Sequence, residues 1–234
     1  MNRYTTLVQA VAVACIGIFQ GLVVSAHSVE STCQGTPSKG RLQHGVALPA
    51  TGPNYQSYSV LGSQLGRTFV HSAVQGIVVQ AYHQLETVAP NATFVYGETG
   101  FSSGGPFKPH RTHQNGLSVD FMVPVLNAQG KSVPLPTHVG NKWGYNIEFD
   151  DAAKFDGLRV DFEAMAEHLY QLDVAARRSG AGIALVIFEP KFHAALFTTR
   201  RGAELQNRLK FMAKQAWVRH DEHYHVDFQI ACNK

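Results

Sequence analysis

Five of the chain's 12 histidines fall in two short segments from opposite halves of the sequence, and any fold must account for both. The first is His110-Arg-Thr-His113-Gln-Asn-Gly-Leu-Ser-Val-Asp120; the second is His220-Asp-Glu-His223-Tyr-His225-Val-Asp227. Imidazole and carboxylate are the usual ligands of a catalytic zinc ion, which takes three protein ligands and keeps one open position. Read as a strand, the second segment puts His223, His225 and Asp227 on one face and Tyr224, Val226 and Phe228 on the other. The apolar set packs on the core, and the two imidazoles stand ~7 Å apart along one line. That spacing suits one ligand and one neighbouring acid–base group better than two ligands with Zn–N bonds near ~2.0 Å. In the first segment Asp120 lies on the polar face of its own strand, and an Asn115-Gly116 turn can fold His113 back towards it. Two antiparallel strands would then gather His113, Asp120 and His225 around one ion. On spacing alone a blander reading stands level: surface or satisfied core histidines, with Asp120 capping a turn.

The remaining sequence predicts a folded domain around these segments. With 234 residues, 44% hydrophobic and 16% charged, the chain can bury one useful core. Val70, Val74, Ile77, Val78, Tyr82 and Leu85 recur at helical spacing and predict a helix from Thr68 to about Val88, stopped by Pro90. Thr93 to Tyr96 reads as a short strand followed by a glycine-rich loop. Leu117 to Val125 reads as a strand, with Leu117, Val119 and Phe121 opposite Ser118, Asp120 and Met122. A helix is expected over Asp161 to Arg178, ending at Gly180. Ile183 to Phe188 reads as a β-branched strand, Glu204 to Gln215 as another helix, and His223 to Ile230 as the last strand. This mixed order lacks a regular βαβ repeat and predicts an α+β fold: a single domain with a central antiparallel sheet flanked by helices. Residues 27–66, rich in Ser, Gly, Pro, Thr and Gln, read as an N-terminal arm draped over a domain spanning 67–234.

Residues 1–26 carry the marks of a signal peptide: Arg3, an apolar run from Leu7 to Val24, and the small-residue site Val24-Ser25-Ala26. An uncleaved anchor is the alternative, because the run approaches the ~20 residues that span a bilayer. The apolar run continues past Cys15, which argues against lipid attachment there. Cys33 and Cys232 remain after cleavage, and in an oxidising compartment they would pair as a disulfide, two free thiols being the other reading. The formal charge of +3 drops to +2 once Arg3 is lost. That is too mild to attract nucleic acid, and no basic stripe interleaved with aromatics is present. No second long apolar stretch follows, so the mature chain is expected in the periplasm without spanning a membrane.

Ser102-Ser-Gly-Gly-Pro-Phe-Lys-Pro-His110-Arg-Thr-His113-Gln-Asn-Gly-Leu-Ser-Val-Asp120 resembles the first signature of the penicillin-insensitive murein endopeptidases. Trp217-Val-Arg-His220-Asp-Glu-His223-Tyr-His225-Val resembles that family's end, and Cys33 and Cys232 also look family-like. The wider group of lysostaphin-type, D-Ala-D-Ala metallopeptidase and hedgehog-like folds carries His-x6-Asp early and His-x-His late, as in His113/Asp120 and His223/His225. The resemblance covers roughly residues 33–232 and is weak between the two signatures. It implies Zn2+ bound by His113, Asp120 and His225, with His110 lining the site and grouped with them. It implies His223 as the catalytic histidine, with His220 beside it. The implied reaction is hydrolysis of peptidoglycan stem-peptide crosslinks, D-alanyl to meso-diaminopimelate. An Asp-Gly segment can add a metal contact in this family, and Asp156-Gly157 is the candidate; Arg159 stands where a further histidine is expected, so a second ion is in doubt. The rivals are a D,D-carboxypeptidase or dipeptidase on the same zinc site and a non-catalytic, zinc-stabilised wall-binding module. A non-haem iron oxygenase also uses two histidines and a carboxylate, but with tighter His-x-Asp spacing. Glu98, in Tyr96-Gly97-Glu98-Thr99-Gly100, could point to the cleft, but a loop carboxylate is more often solvated, and Glu189 reads the same way; Asp150, Asp151 and Asp156 read as an acidic loop before a helix.

Overall fold

The two histidine segments end in strands that pair directly. The computed structural model describes residues 29–233; the expected signal peptide lies outside them. A hairpin of β1 (Thr32–Thr36) and β2 (Lys39–Gln43) comes first. Five strands then build the central sheet: β3 (Tyr55–Ser57), β4 (Phe94–Tyr96), β5 (Ser118–Met122), β6 (Gly182–Ile187) and β7 (His223–Gln229). Their spatial order is β6-β7-β5-β4-β3, antiparallel throughout except between β3 and β4. The β5–β7 register sets His225 opposite Asp120 and Tyr224 opposite Phe121. Directly opposed residues share a face, so Asp120 and His225 emerge on one side and Phe121 and Tyr224 on the other.

Two helices of 17 residues each, α1 (Ser72–Val88) and α2 (Phe162–Arg178), pack on each other and cover the Phe121/Tyr224 face. Val74, Ile77, Val78, Ala81, Tyr82 and Leu85 form the buried side of α1, each large apolar group contributing roughly 1.5–3 kcal/mol by leaving water. Asp161 caps α2 by accepting from Ala164 N at 3.1 Å, and Arg177 and Arg178 complement the dipole at its last turn. Gly180 follows with φ +75°, the left-handed step that lets the chain leave the helix. His168 of α2 is stacked on Tyr82 and hydrogen-bonded to the Tyr224 hydroxyl, joining both helices to the sheet. The described residues form a single compact α+β domain with an antiparallel-rich sheet and no barrel among them. Among the described residues no helix is long and apolar enough to cross a membrane.

Several boundaries depart from the sequence pattern. The first helix begins at Ser72 rather than Thr68, because Phe69–Val70 pairs with Val46–Ala47 and His71 Nδ1 caps the helix from Ala73 N at 3.2 Å. The strand expected to Val125 stops at Met122. Pro124 has no N–H to continue the ladder, and Val125–Leu126 joins a second, four-stranded sheet instead. The helix expected over Glu204–Gln215 runs only over Gly202–Arg208. The chain then extends along β6, exchanging Val186 N to Lys210 O and Met212 N to Val186 O at 2.9 Å each; an open sheet edge takes the backbone bonds that a helix would have used. The segment read as an arm contributes β3 to the edge of the central sheet, and Cys33 is bonded to Cys232.

Candidate metal centre

Asp120 is completely buried at the centre of the site. Its Oδ1 lies 3.2 Å from His113 Nε2 and 2.9 Å from His225 Nδ1. Its Oδ2 accepts the Tyr145 hydroxyl at 2.9 Å and lies 3.7 Å from His110 Nδ1 and 3.8 Å from His223 Nε2. The fold therefore brings His110, His113, Asp120, His223 and His225 together, and the His220 ring stands 4.6 Å from that of His223.

The nitrogens facing away from Asp120 have fixed partners. His113 Nδ1 donates to the Thr99 carbonyl at 3.0 Å, His110 Nε2 to Glu98 Oε2 at 2.6 Å, and His225 Nε2 to Asp227 Oδ1 at 2.8 Å. Ser118 Oγ steadies Asp227 at 2.6 Å. A carbonyl or carboxylate only accepts, so these bonds leave each ring's other nitrogen to face Asp120. The backbone supports the arrangement. His113 takes φ +66°, a region unfavourable for a side-chain-bearing residue, and Gln114 N is tied to Pro37 O at 2.9 Å in the β1–β2 turn.

A metal ion fits this donor set. Burial keeps His113 neutral, pushing it below its ordinary value against the pull of Asp120. With Nδ1 donating to Thr99, its buried Nε2 makes no hydrogen bond within the described residues. A lone pair and a carboxylate oxygen thus face each other at 3.2 Å, an arrangement that a cation relieves. His110, His113 and Asp120 offer ligand atoms within 4.8 Å of one another and could hold one. Burial would raise Asp120, but the surrounding imidazoles, the His225 bond to Oδ1 among them, hold it well below the usual carboxylate range. Burial would lower His225, yet Asp227 and Asp120 outweigh it and push the imidazole up to about 10. A cation bound at His225 Nδ1 would displace the proton that Asp227 and Asp120 favour on this imidazole.

The histidines on the other side of the site differ. Burial lowers His223 to about 4 and His220 to about 3, so both are neutral imidazoles near pH 7. His223 Nδ1 and Glu222 Oε1 share a hydrogen bond of 2.8 Å, and burial raises the Glu222 carboxyl well above its ordinary value. His220 Nδ1 donates to Val218 O at 2.9 Å. His223 and His220 open onto a cavity of about 790 Å³ that also reaches Asp120 and His225.

Two carboxylates expected in solvent are buried. Glu98 accepts from Arg67, His110 and the Tyr58 hydroxyl; burial would raise it, but the His110 and Arg67 bonds win and hold it at about 2. Glu189 accepts from Gln215 Nε2 at 3.1 Å and His220 N at 3.4 Å. Asp156 is exposed at a hairpin tip with Arg159 and does not line the cavity. Tyr145, Glu98 and Asp227 are the residues that spacing does not single out. Asp227 leaves a signal through its place on the histidine face of the last strand, and Glu98 a weaker one through its glycine-flanked loop; Tyr145 leaves none.

Comparison with curated proteins finds no match. The sequence profile of the penicillin-insensitive murein endopeptidases, however, matches residues 33–234, which span both histidine segments and both bonded cysteines, and the chain belongs to that family.

Proposed function

We propose that the chain is a zinc-dependent murein endopeptidase that hydrolyses peptide crosslinks, D-alanyl to meso-diaminopimelate, in peptidoglycan outside the cytoplasm. The observation that carries the metal assignment is the buried, unpartnered His113 Nε2 facing Asp120 Oδ1. His113 Nε2, Asp120 and His225 Nδ1 would hold the ion, with His110 Nδ1 beside them. When bound, zinc supplies Lewis acidity, polarising a carbonyl and easing deprotonation of water. His223 is neutral, lines the cavity and turns Nε2 towards Asp120 Oδ2 at 3.8 Å. It accepts the proton of the attacking water and returns it to the leaving amine, as a general acid–base of this kind does. Its bond to Glu222 fixes the ring for both transfers. Tyr145 holds Asp120 Oδ2, so the carboxylate keeps Oδ1 turned to His113 and His225. The Cys33–Cys232 disulfide supports an oxidising, periplasmic location.

The test is elemental analysis of purified protein alongside digestion of crosslinked muropeptides with and without chelator. About one zinc per chain and chelator-sensitive loss of crosslinked dimers are expected. Zinc without cleavage would favour a wall-binding module, cleavage of only terminal residues a carboxypeptidase, and protein without metal would overturn the assignment.

A further inference from the structure

The cavity before Asp120 carries both of the chain's tryptophans, Trp143 and Trp217, in its wall. Trp143 belongs to a strap, residues 138–145, with an unusual backbone. Lys142 (φ 51°, ψ 44°) and Trp143 (φ 56°, ψ 40°) are consecutive non-glycine residues in the left-handed region. Side chains disfavour that region, and two in succession persist only where surrounding contacts impose them, as at ligand clamps. Here Asn141 imposes it: its Oδ1 accepts from His138 N at 3.0 Å and Gly144 N at 2.9 Å, and its Nδ2 donates to Pro136 O at 2.7 Å. The far end is pinned by Tyr145, whose hydroxyl bonds Asp120 and accepts from Glu98 N at 2.9 Å. The strained middle of the strap is thereby fixed against the cavity.

The cavity wall also carries five acidic side chains, Glu98, Asp120, Glu148, Asp221 and Glu222, and its charges are paired in some places and unpaired in others. Four cations line it: Arg67, Lys108, Lys142 and Arg219. Arg67 is bound to Glu98, and Arg219 to Asp221 and, at 3.1 Å, to Glu148. Lys108 and Lys142 are exposed and have no ion pair among the described residues. An ammonium group on a cavity wall favours a carboxylate over an uncharged isostere through a charge-assisted hydrogen bond.

Building on the murein endopeptidase reading, we propose that Lys142, supported by Lys108, forms a carboxylate-binding subsite with Trp143 as its apolar wall. The enzyme thereby selects crosslinks that carry a free carboxylate over those in which it is a carboxamide.

The test uses two crosslinked muropeptides that differ only in that group, acid or amide. Turnover by the metal-loaded protein should favour the acid in kcat/KM by about tenfold, the size of one charge-assisted contact. Lys142→Ala should remove most of that preference through a raised KM for the acid alone, and Lys142→Arg should restore it, each variant keeping the wild-type metal content. Calorimetric binding of both peptides to metal-free protein should show the same contrast. Equal handling of acid and amide by the wild type, or an unchanged preference in both Lys142→Ala and Lys108→Ala, would overturn the subsite. A binding contrast without any cleavage would support the subsite while overturning the endopeptidase reading.

Discussion

Asp227 shows how a residue's role depends on what its neighbour must do with a second nitrogen. Strand alternation places it on the histidine face, but only the folded chain puts it 2.8 Å from His225 Nε2. Partners of this kind orient a ligand and raise its basicity, so Asp227→Ala should weaken metal affinity by about 10–100-fold. Competition with a chromophoric chelator measures this, and an unchanged affinity would leave Asp227 a purely structural role. His113 and His223 should separate along different lines. His113→Ala should lose metal and activity together, whereas His223→Ala should keep the metal and lose turnover, as metal content and muropeptide digestion would show. Full activity in His223→Ala would end the division between ligand and acid–base group. At this scale the residue types and spacings of both histidine segments are legible in the sequence. The partners are not: Tyr145 reaches Asp120 across 25 residues, and Glu98 is buried only because Arg67, Tyr58 and His110 converge on it. No local pattern records such convergence.

Elements read well where one face alone decides them. The α2 helix has an Asp cap, an apolar stripe and a glycine exit, and its limits nearly coincide with the expectation. Where a sheet edge competes, local pattern fails, as after Arg208, where β6 draws the chain into an extended run. The buried side of α2 also sets an acid limit on stability. Burial pushes His168 down to about 3 from its ordinary 6.5, so the unfolded chain takes up this proton first as pH falls. The group's stabilisation is complete above about pH 6.5 and is lost progressively towards pH 3. At pH 4 the loss should be about 3 kcal/mol relative to pH 7. His168→Phe should flatten that difference in urea unfolding of the metal-free protein. An identical pH dependence in the variant would mean that His168 is not the responsible group.

The whole molecule is closed by the Cys33–Cys232 disulfide, 199 residues apart in sequence. In the chain-entropy account a loop of this length stabilises by about 5 kcal/mol, and urea unfolding with and without reductant should show a loss of that order. A much smaller loss would mean that the β1–β2 hairpin holds the chain ends without the bond. The α+β class follows from the order of elements in the sequence, but the strand order does not, because each pairing choice joins distant segments. The position of β7 has a temporal meaning as well. It is the last strand of the sheet in sequence, yet it lies inside, between β6 and β5. A chain still under synthesis holds two sheet fragments with open edges, which are prone to wrong partners. It also lacks His223 and His225. The strand that heals the sheet thus delivers His223 and His225 in the same event, so on the proposed reading an unfinished or prematurely ended chain is expected to be inert.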